Sequence, residues 1–270
     1  MLNRSLPLLV LLALSPAAAR AEALVICHVG GPGSTSQARP VAEKFMRHVE
    51  QAGGLAKGSM TGEYHTTLAG CLGYIKSARP LFGVFDLPTY LSQAKELKLK
   101  PLACMGSPTG QRYHLLVREG GAKDLAALKG KTLYVTIDDA AFLSRVVFDG
   151  KLDVAQLKLK TSKRPLKGLR KVARGKADAA LVDAMAYEHL DELKLPAKLE
   201  SIYRSPGLPG LTLAVLGTAK PAPAVVKKVS AALPKLCSGE GEKMCKTVQV
   251  RAFTRVKPAT YAKLLKKYAR

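Results

Sequence analysis

Acidic residues are in short supply in this chain: 20 Asp and Glu stand against 43 Lys and Arg, a formal charge of +23. Such a charge attracts polyanions without selectivity and says little about fold. The basic side chains are densest at Lys158, Lys160, Lys163, Arg164, Lys167, Arg170, Lys171, Arg174 and Lys176. On a helix this spacing gives a solvated face, with a nucleic-acid surface as the alternative. After residue 21 no apolar run approaches the roughly 20 residues that a membrane-spanning helix needs. Motifs of catalysis are missing as well. No GxSxG elbow is present, no Gly-Lys-Ser/Thr closes a Walker loop, and GxGxxG fails at Ser36. The histidines, at 28, 48, 65, 114 and 189, are scattered and form no HExxH. No metal and no cofactor is therefore expected. Asp138 and Asp139 are adjacent and point in different directions from a helix start, so they make no facing acid and base pair. The chain is not expected to be an enzyme.

What is present begins with Arg4, an apolar run from Leu6 to Leu14, and small residues ending in Ala19, Arg20 and Ala21. That order is a secretory signal, with cleavage expected after Ala21 and a mature chain starting at Glu22. Export to the periplasm follows, and it weighs against nucleic acid as a partner. Cys27 follows Ile26 within an apolar strand-like run, which speaks against a lipid anchor. Removing residues 1–21 leaves a charge of +21.

Five cysteines in an exported chain invite disulfides and leave one thiol over. Cys237 and Cys245 flank Ser-Gly-Glu-Gly and are the first expected pair. Cys71 and Cys104 are the second, which leaves Cys27 as a buried thiol on a strand. Other connectivities stay open.

Ala23–Val29 is a compact apolar run, Gly30–Gln37 is rich in Gly, Ser and Thr, and an amphipathic stretch continues to about Gln51. This reads as strand, loop and helix. Strands expected near 55–61, 81–85 and 100–105 alternate with helices at 66–77 and 89–97. After Gly106-Ser107-Pro108-Thr109-Gly110 a second series starts, with a helix at 140–148, a basic helix at 164–174, a strand at 179–182 and a helix at 184–193. Such alternation predicts an α/β protein with mainly parallel sheets flanked by helices. No internal repeat shows.

Three stretches in this order resemble the periplasmic binding proteins of the phosphate, phosphite and phosphonate ABC transporter type. They are Leu125-Ala126-Ala127-Leu128-Lys129-Gly130-Lys131-Thr132-Leu133-Tyr134-Val135, then Val172–Asp183 with its Ala177-Asp178-Ala179-Ala180-Leu181-Val182-Asp183, and then Ile202–Pro209. Leu87-Pro88-Thr89-Tyr90-Leu91 is similar to that family's strand-end tyrosine. The resemblance covers nearly the whole mature chain. It implies a two-lobed type II periplasmic-binding fold with two crossing segments, lobe one from 22–110 and 206–270 and lobe two from 111–205. It further implies a monomer that takes a small-molecule ligand between the lobes and delivers it to an ABC transporter permease.

By position, the resemblance puts the ligand against Gly33, Ser34, Thr35 and Ser36, against Tyr64 and Tyr90, against Asp138 and Asp139, and against Asp183. A loop between a strand and a helix presents unpaired N–H groups to an anion, and the same loop also reads as a turn in which Ser34 or Ser36 caps the helix. Tyr64 and Tyr90 read equally as packing residues. Asp183 reads as a helix N-cap, which does not exclude a ligand role. The departure lies at Asp138 and Asp139, whose carboxylates suit a helix start and repel an anionic head group. An orphan or sensor binding protein, or a basic protein coating polyanionic surfaces, would share these features.

Overall fold

The computed structural model describes residues 21–270 except 32, 163 and 249. Of the expected signal at residues 1–21, residues 1–20 lie outside the described residues.

The first half builds β1 (Glu22–Cys27), α1 (Thr35–Gly53), β2 (Met60–His65), α2 (Leu68–Ala78), β3 (Phe82–Phe85), α3 (Leu87–Gln93) and β4 (Lys100–Met105). A second series follows: β5 (Tyr113–Arg118), β6 (Thr132–Val135), a π-helix at Phe142–Val147, β7 (Lys158–Thr161), α4 (Pro165–Ala173), β8 (Ala179–Asp183), α5 (Ala184–Glu188) and β9 (Leu199–Arg204). The chain closes with β10 (Thr212–Val215), α6 (Pro223–Ala232), α7 (Gly241–Thr247), β11 (Phe253–Arg255) and α8 (Pro258–Tyr268).

These strands form two sheets. One has the order β11-β4-β10-β3-β1-β2 and the other β7-β6-β8-β5-β9. In the first, β2, β1 and β3 run parallel, and β10 runs against β3 and β4. In the second, β7, β6 and β8 are parallel while β5 runs against β8 and β9. All four residues of β3, Phe82-Gly83-Val84-Phe85, are buried, as a strand covered by helices on both faces requires. Edge strand β7 instead exposes Lys158 and Lys160, and edge lysines discourage pairing with another chain.

The chain passes twice between the sheets, at 106–112 and at 205–211. The two passes lie side by side: Gln111 and Leu208 exchange both backbone hydrogen bonds, at 2.9 and 2.8 Å, and the Tyr113 N–H donates to Ser205 Oγ at 2.9 Å. One apolar cluster runs across the junction, joining Val25, Tyr90 and Tyr261 to Leu115, Phe142 and Val146.

Several elements start later or wind differently than their sequence suggests. The strand expected near 55–61 begins at Met60, because the buried Glu50 carboxylate accepts from the N–H groups of Gly58 (3.0 Å) and Met60 (2.8 Å) and holds the preceding residues in a turn. The helix expected at 140–148 is wound as a π-helix, in which Phe148 N–H donates to Leu143 C=O at 2.8 Å. The helix expected at 184–193 stops at Glu188 and continues as a short 3₁₀ turn.

The disulfide expectation is corrected. Cys237 and Cys245 are bonded, with Cα atoms 5.4 Å apart, but Cys71 bonds Cys27, at a Cα separation of 5.6 Å, and not Cys104. The cause is strand order. Cys27 ends β1, and Cys71 lies on the helix that leaves β2, the neighbour of β1. Cys104 sits on β4, three strand spacings from β1, or roughly 14 Å at about 4.8 Å per strand. It is the free, buried thiol, and burial pushes its pKa up to about 11.

Candidate functional site

Open α/β sheets bind ligands beyond the carboxyl ends of their parallel strands, where helix starts converge. In the first sheet those ends belong to β1, β2 and β3. The loop after β1 leads into α1, whose N-cap is Ser34: its hydroxyl accepts from the Gln37 N–H at 3.3 Å and lies 3.1 Å from Ser36 Oγ. Thr35 donates to the Tyr64 carbonyl at 2.7 Å and so ties the loop to β2. Gly33 takes φ +77°, a conformation that suits glycine. At Gly31 a Cβ would fall 2.4 Å from the Tyr64 hydroxyl and 2.7 Å from the His28 ring, so only glycine lets these two side chains close over the loop. Residues Gly33 to Ser36 and Tyr64 are thereby gathered at one place, with the Ser34 and Ser36 hydroxyls exposed.

Asp86, at the end of β3, joins this edge together. One carboxylate oxygen accepts from the Thr89 N–H at 2.8 Å and caps α3, while the other accepts from the Val29 N–H at 2.8 Å. His28 sits beside it. Burial lowers the pKa of that imidazole, and the Asp86 charge opposes the shift. Tyr90 lies deeper. It is 1% exposed, its ring meets Tyr261 edge-on at 4.8 Å, and burial raises its pKa to about 12.

In the second sheet the corresponding ends are those of β6 and β8. Asp183 ends β8 and caps α5, accepting from the Ala186 N–H at 2.8 Å. Asp139 caps the π-helix through the Phe142 N–H at 2.8 Å, and its other oxygen takes the Tyr268 hydroxyl at 2.9 Å. Asp138 is exposed and points elsewhere, toward the Thr161 hydroxyl at 3.4 Å. The two adjacent aspartates thus diverge.

Tyr113 stands where the two edges meet. It opens β5 opposite Asp183, and its ring contacts Phe142 edge-on at 6.3 Å. Burial raises the pKa of its hydroxyl, and the charges of Asp183 and then Asp86 raise it further. Sequence reasoning passed over both Asp86 and Tyr113. Asp86 had a legible signal, an Asp before Leu-Pro-Thr at a strand end, which is the pattern of a capped helix start. Tyr113 had none, since only the return of the chain beside Gln111 and Leu208 brings it to the junction. Among the described residues no group of three or more His, Cys, Asp or Glu could hold a metal ion.

Two sheets joined by paired crossings, with helix starts facing the junction, define a two-lobed periplasmic-binding architecture of type II. The family described as "ABC transporter, phosphonate, periplasmic substrate-binding protein" matches residues 84–261, and the chain belongs to that family. Its members are substrate-binding proteins of transport. Solved structures share the fold at low identity. A binding-protein component of a phosphonate ABC transporter from Pseudomonas aeruginosa superposes with a TM-score of 0.62 at 16% identity, covering 91% of this chain and 86% of its own. A Prochlorococcus marinus PhnD1 in complex with methylphosphonate gives 0.63 at 9%, covering 91% and 96%. A Xanthomonas citri protein bound to ATP gives 0.67 at 13%, covering 92% and 96%. No curated protein matches the sequence.

Proposed function

We propose that this chain is exported through removal of residues 1–21 and, in the periplasm, captures one small ligand between two lobes for an ABC permease, without catalysing a reaction and as a monomer. The lobes would comprise 22–110 with 206–270, and 111–205, cut at the paired crossings. Gly33 to Ser36, Tyr64 and Asp183 would meet the ligand, with Tyr113 between them. The observation that carries this reading is the pairing of the two crossings, Gln111 with Leu208 and Tyr113 with Ser205, which joins the two sheets and sets Tyr113 opposite Asp183. Ligand binding would shift the population of lobe arrangements by its differential affinity for them. In fractionated cells the protein should be found in the periplasm with Glu22 as its first residue by mass spectrometry, and a chain kept in the cytoplasm with its leader intact would end the export proposal.

The family's description supports a phosphate- or phosphonate-like ligand. One observation favours a second reading, a ligand that carries positive charge: the helix starts after β3, β6 and β8 are each filled by the chain's own carboxylate, Asp86, Asp139 and Asp183. Helix starts so occupied offer an anion little. A thermal-shift screen against phosphate, phosphite, methylphosphonate, amino acids and polyamines separates the two. A ligand at 100 times its Kd stabilises by about 2.7 kcal/mol. Asp183→Ala should abolish that shift in a folded protein, and an unchanged shift would remove Asp183 from the site. Response only to polyanions, lost with salt, would favour a coating protein instead.

A further inference from the structure

The two crossings are not all that joins the lobes. Helix α8 is rooted in the first sheet. Near its start Tyr261, 1% exposed, packs edge-on against Tyr90 at 4.8 Å and shares a 2.8 Å hydrogen bond with Thr212 of β10. Seven residues and about 10 Å further on, its last turn grips the second lobe. The Tyr268 hydroxyl donates to Asp139 at 2.9 Å, Arg145 donates to the Tyr268 carbonyl at 2.6 Å, and Lys267 pairs with Asp149. All three partners lie on one short segment. Asp139 caps the π-helix, Arg145 lies within it, and Asp149 follows it. Leu264, Leu265 and Tyr268 add apolar contact with the cluster that contains Phe142, Val146, Val147 and Phe148.

A hydrogen-bonded helix does not stretch. Rotation of the second lobe about the crossings changes the distance from Tyr261 to the π-helix, and α8 must then either release its last turn or leave its seat at Tyr261. The seat is fully buried and aromatic, whereas the last turn is only half-buried and its grip combines apolar contact with three polar ones, so the last turn is the part that gives way. Contacts made in only one of two arrangements bias the equilibrium toward that arrangement.

We propose that the last turn of α8 is a strap between the lobes: Lys267 and Tyr268, closed on Asp149, Asp139 and Arg145, hold the second lobe at the angle seen here. In this role Asp139 is a positioning residue. Both of its carboxylate oxygens are committed within the protein, one to the π-helix start and one to the strap. The inference concerns the movement invoked for ligand capture and rests on that reading, although its test needs no ligand.

The test is a distance measurement between spin labels at Lys44→Cys on α1 and Lys176→Cys after α4, both exposed positions. The native cysteines do not compete for label, since four are paired and Cys104 is buried. In the labelled protein carrying Lys267→Ala and Tyr268→Phe, a second distance should gain population roughly tenfold, as expected from losing a charge-assisted hydrogen bond and an ion pair. Lys263→Ala, on the exposed face of the same helix, should leave the distribution unchanged. A distribution in the double variant identical to that of the parent overturns the strap and leaves the ligand-binding reading standing. If the double variant does not fold, Lys267→Ala alone carries the comparison, because it disturbs no buried group, and the same two outcomes decide it.

Discussion

The two lobes hold their strand ends by different means. Around the first sheet the fastening is covalent and buried: Cys27–Cys71 ties the end of β1 to α2, Glu50 pins the turn before β2, and Asp86 links the β1 loop to α3. The second sheet has no cysteine, since all five lie at 27, 71, 104, 237 and 245. Its helix starts depend on single carboxylate caps at Asp139, Asp153 and Asp183, and one of its helices is π-wound, a form common at functional sites. The contrast separates a braced frame from a lobe held by contacts that can be exchanged one at a time.

The largest effect should come from the first lobe. Breaking the 44-residue bridge with Cys71→Ser should cost about 2–4 kcal/mol in chemical denaturation under oxidising conditions. A loss no greater than that of a second-lobe cap would erase the contrast. Next is Glu50, 2% exposed. Glu50→Ala leaves the Gly58 and Met60 N–H groups without their acceptor and should cost about 2–3 kcal/mol. Burial opposes ionisation of this carboxyl, but the hydrogen bonds from Gly58, Met60 and Arg47 outweigh it, and its pKa lies below the ordinary glutamate value. The stabilisation from that shift is therefore full above the unfolded-state pKa and lost as the pH falls through the folded one. Glu50→Gln should flatten the acid side of the stability profile, and an unaltered profile would show that Glu50 does not set it. In the second lobe, Asp183→Ala should cost only about 1 kcal/mol as a lost N-cap, whatever it does to ligand. Smallest of all, Lys246→Ala breaks a pair with Glu242 that is exposed on both sides, and the melting temperature should not move measurably.

The alternation of strands and helices was legible because the strands inside the sheets, such as β1, β3, β8 and β10, are apolar along most of their length. The expected mainly parallel pairing is corrected to a mixed one, with β10 and β5 each antiparallel to both neighbours, because direction depends on the returning chain and not on local sequence. β4 occupies the expected residues 100–105. The winding of 142–147 was not, since Phe-Leu-Ser-Arg-Val-Val buries its apolar side chains in an α- or a π-form alike. Nor was the cysteine pairing, which depends on the order of strands in space; β10 and β3 come between β4 and β1, and no local pattern announces that. At the site, Ser34 and Asp183 were legible as caps because capping is a local property. The commitment of Asp139 to Tyr268 links positions 129 residues apart and could be seen only in the folded chain.

The native bonds follow the order in which an exported chain would meet an oxidant. Cys27 and then Cys71 emerge first and pair with each other, and Cys237 and Cys245 emerge last and do the same. Cys104 emerges between them and stays reduced, yet β4 is not enclosed until β10 and β11 arrive on either side of it, and Cys237 emerges between those two strands. An oxidant that joins each thiol to the next one delivered would trap Cys104 with Cys237, so the stray sulfur is a liability of biogenesis that the finished protein hides. Cys104→Ala should raise the yield of correctly oxidised protein, with little change once folding is complete.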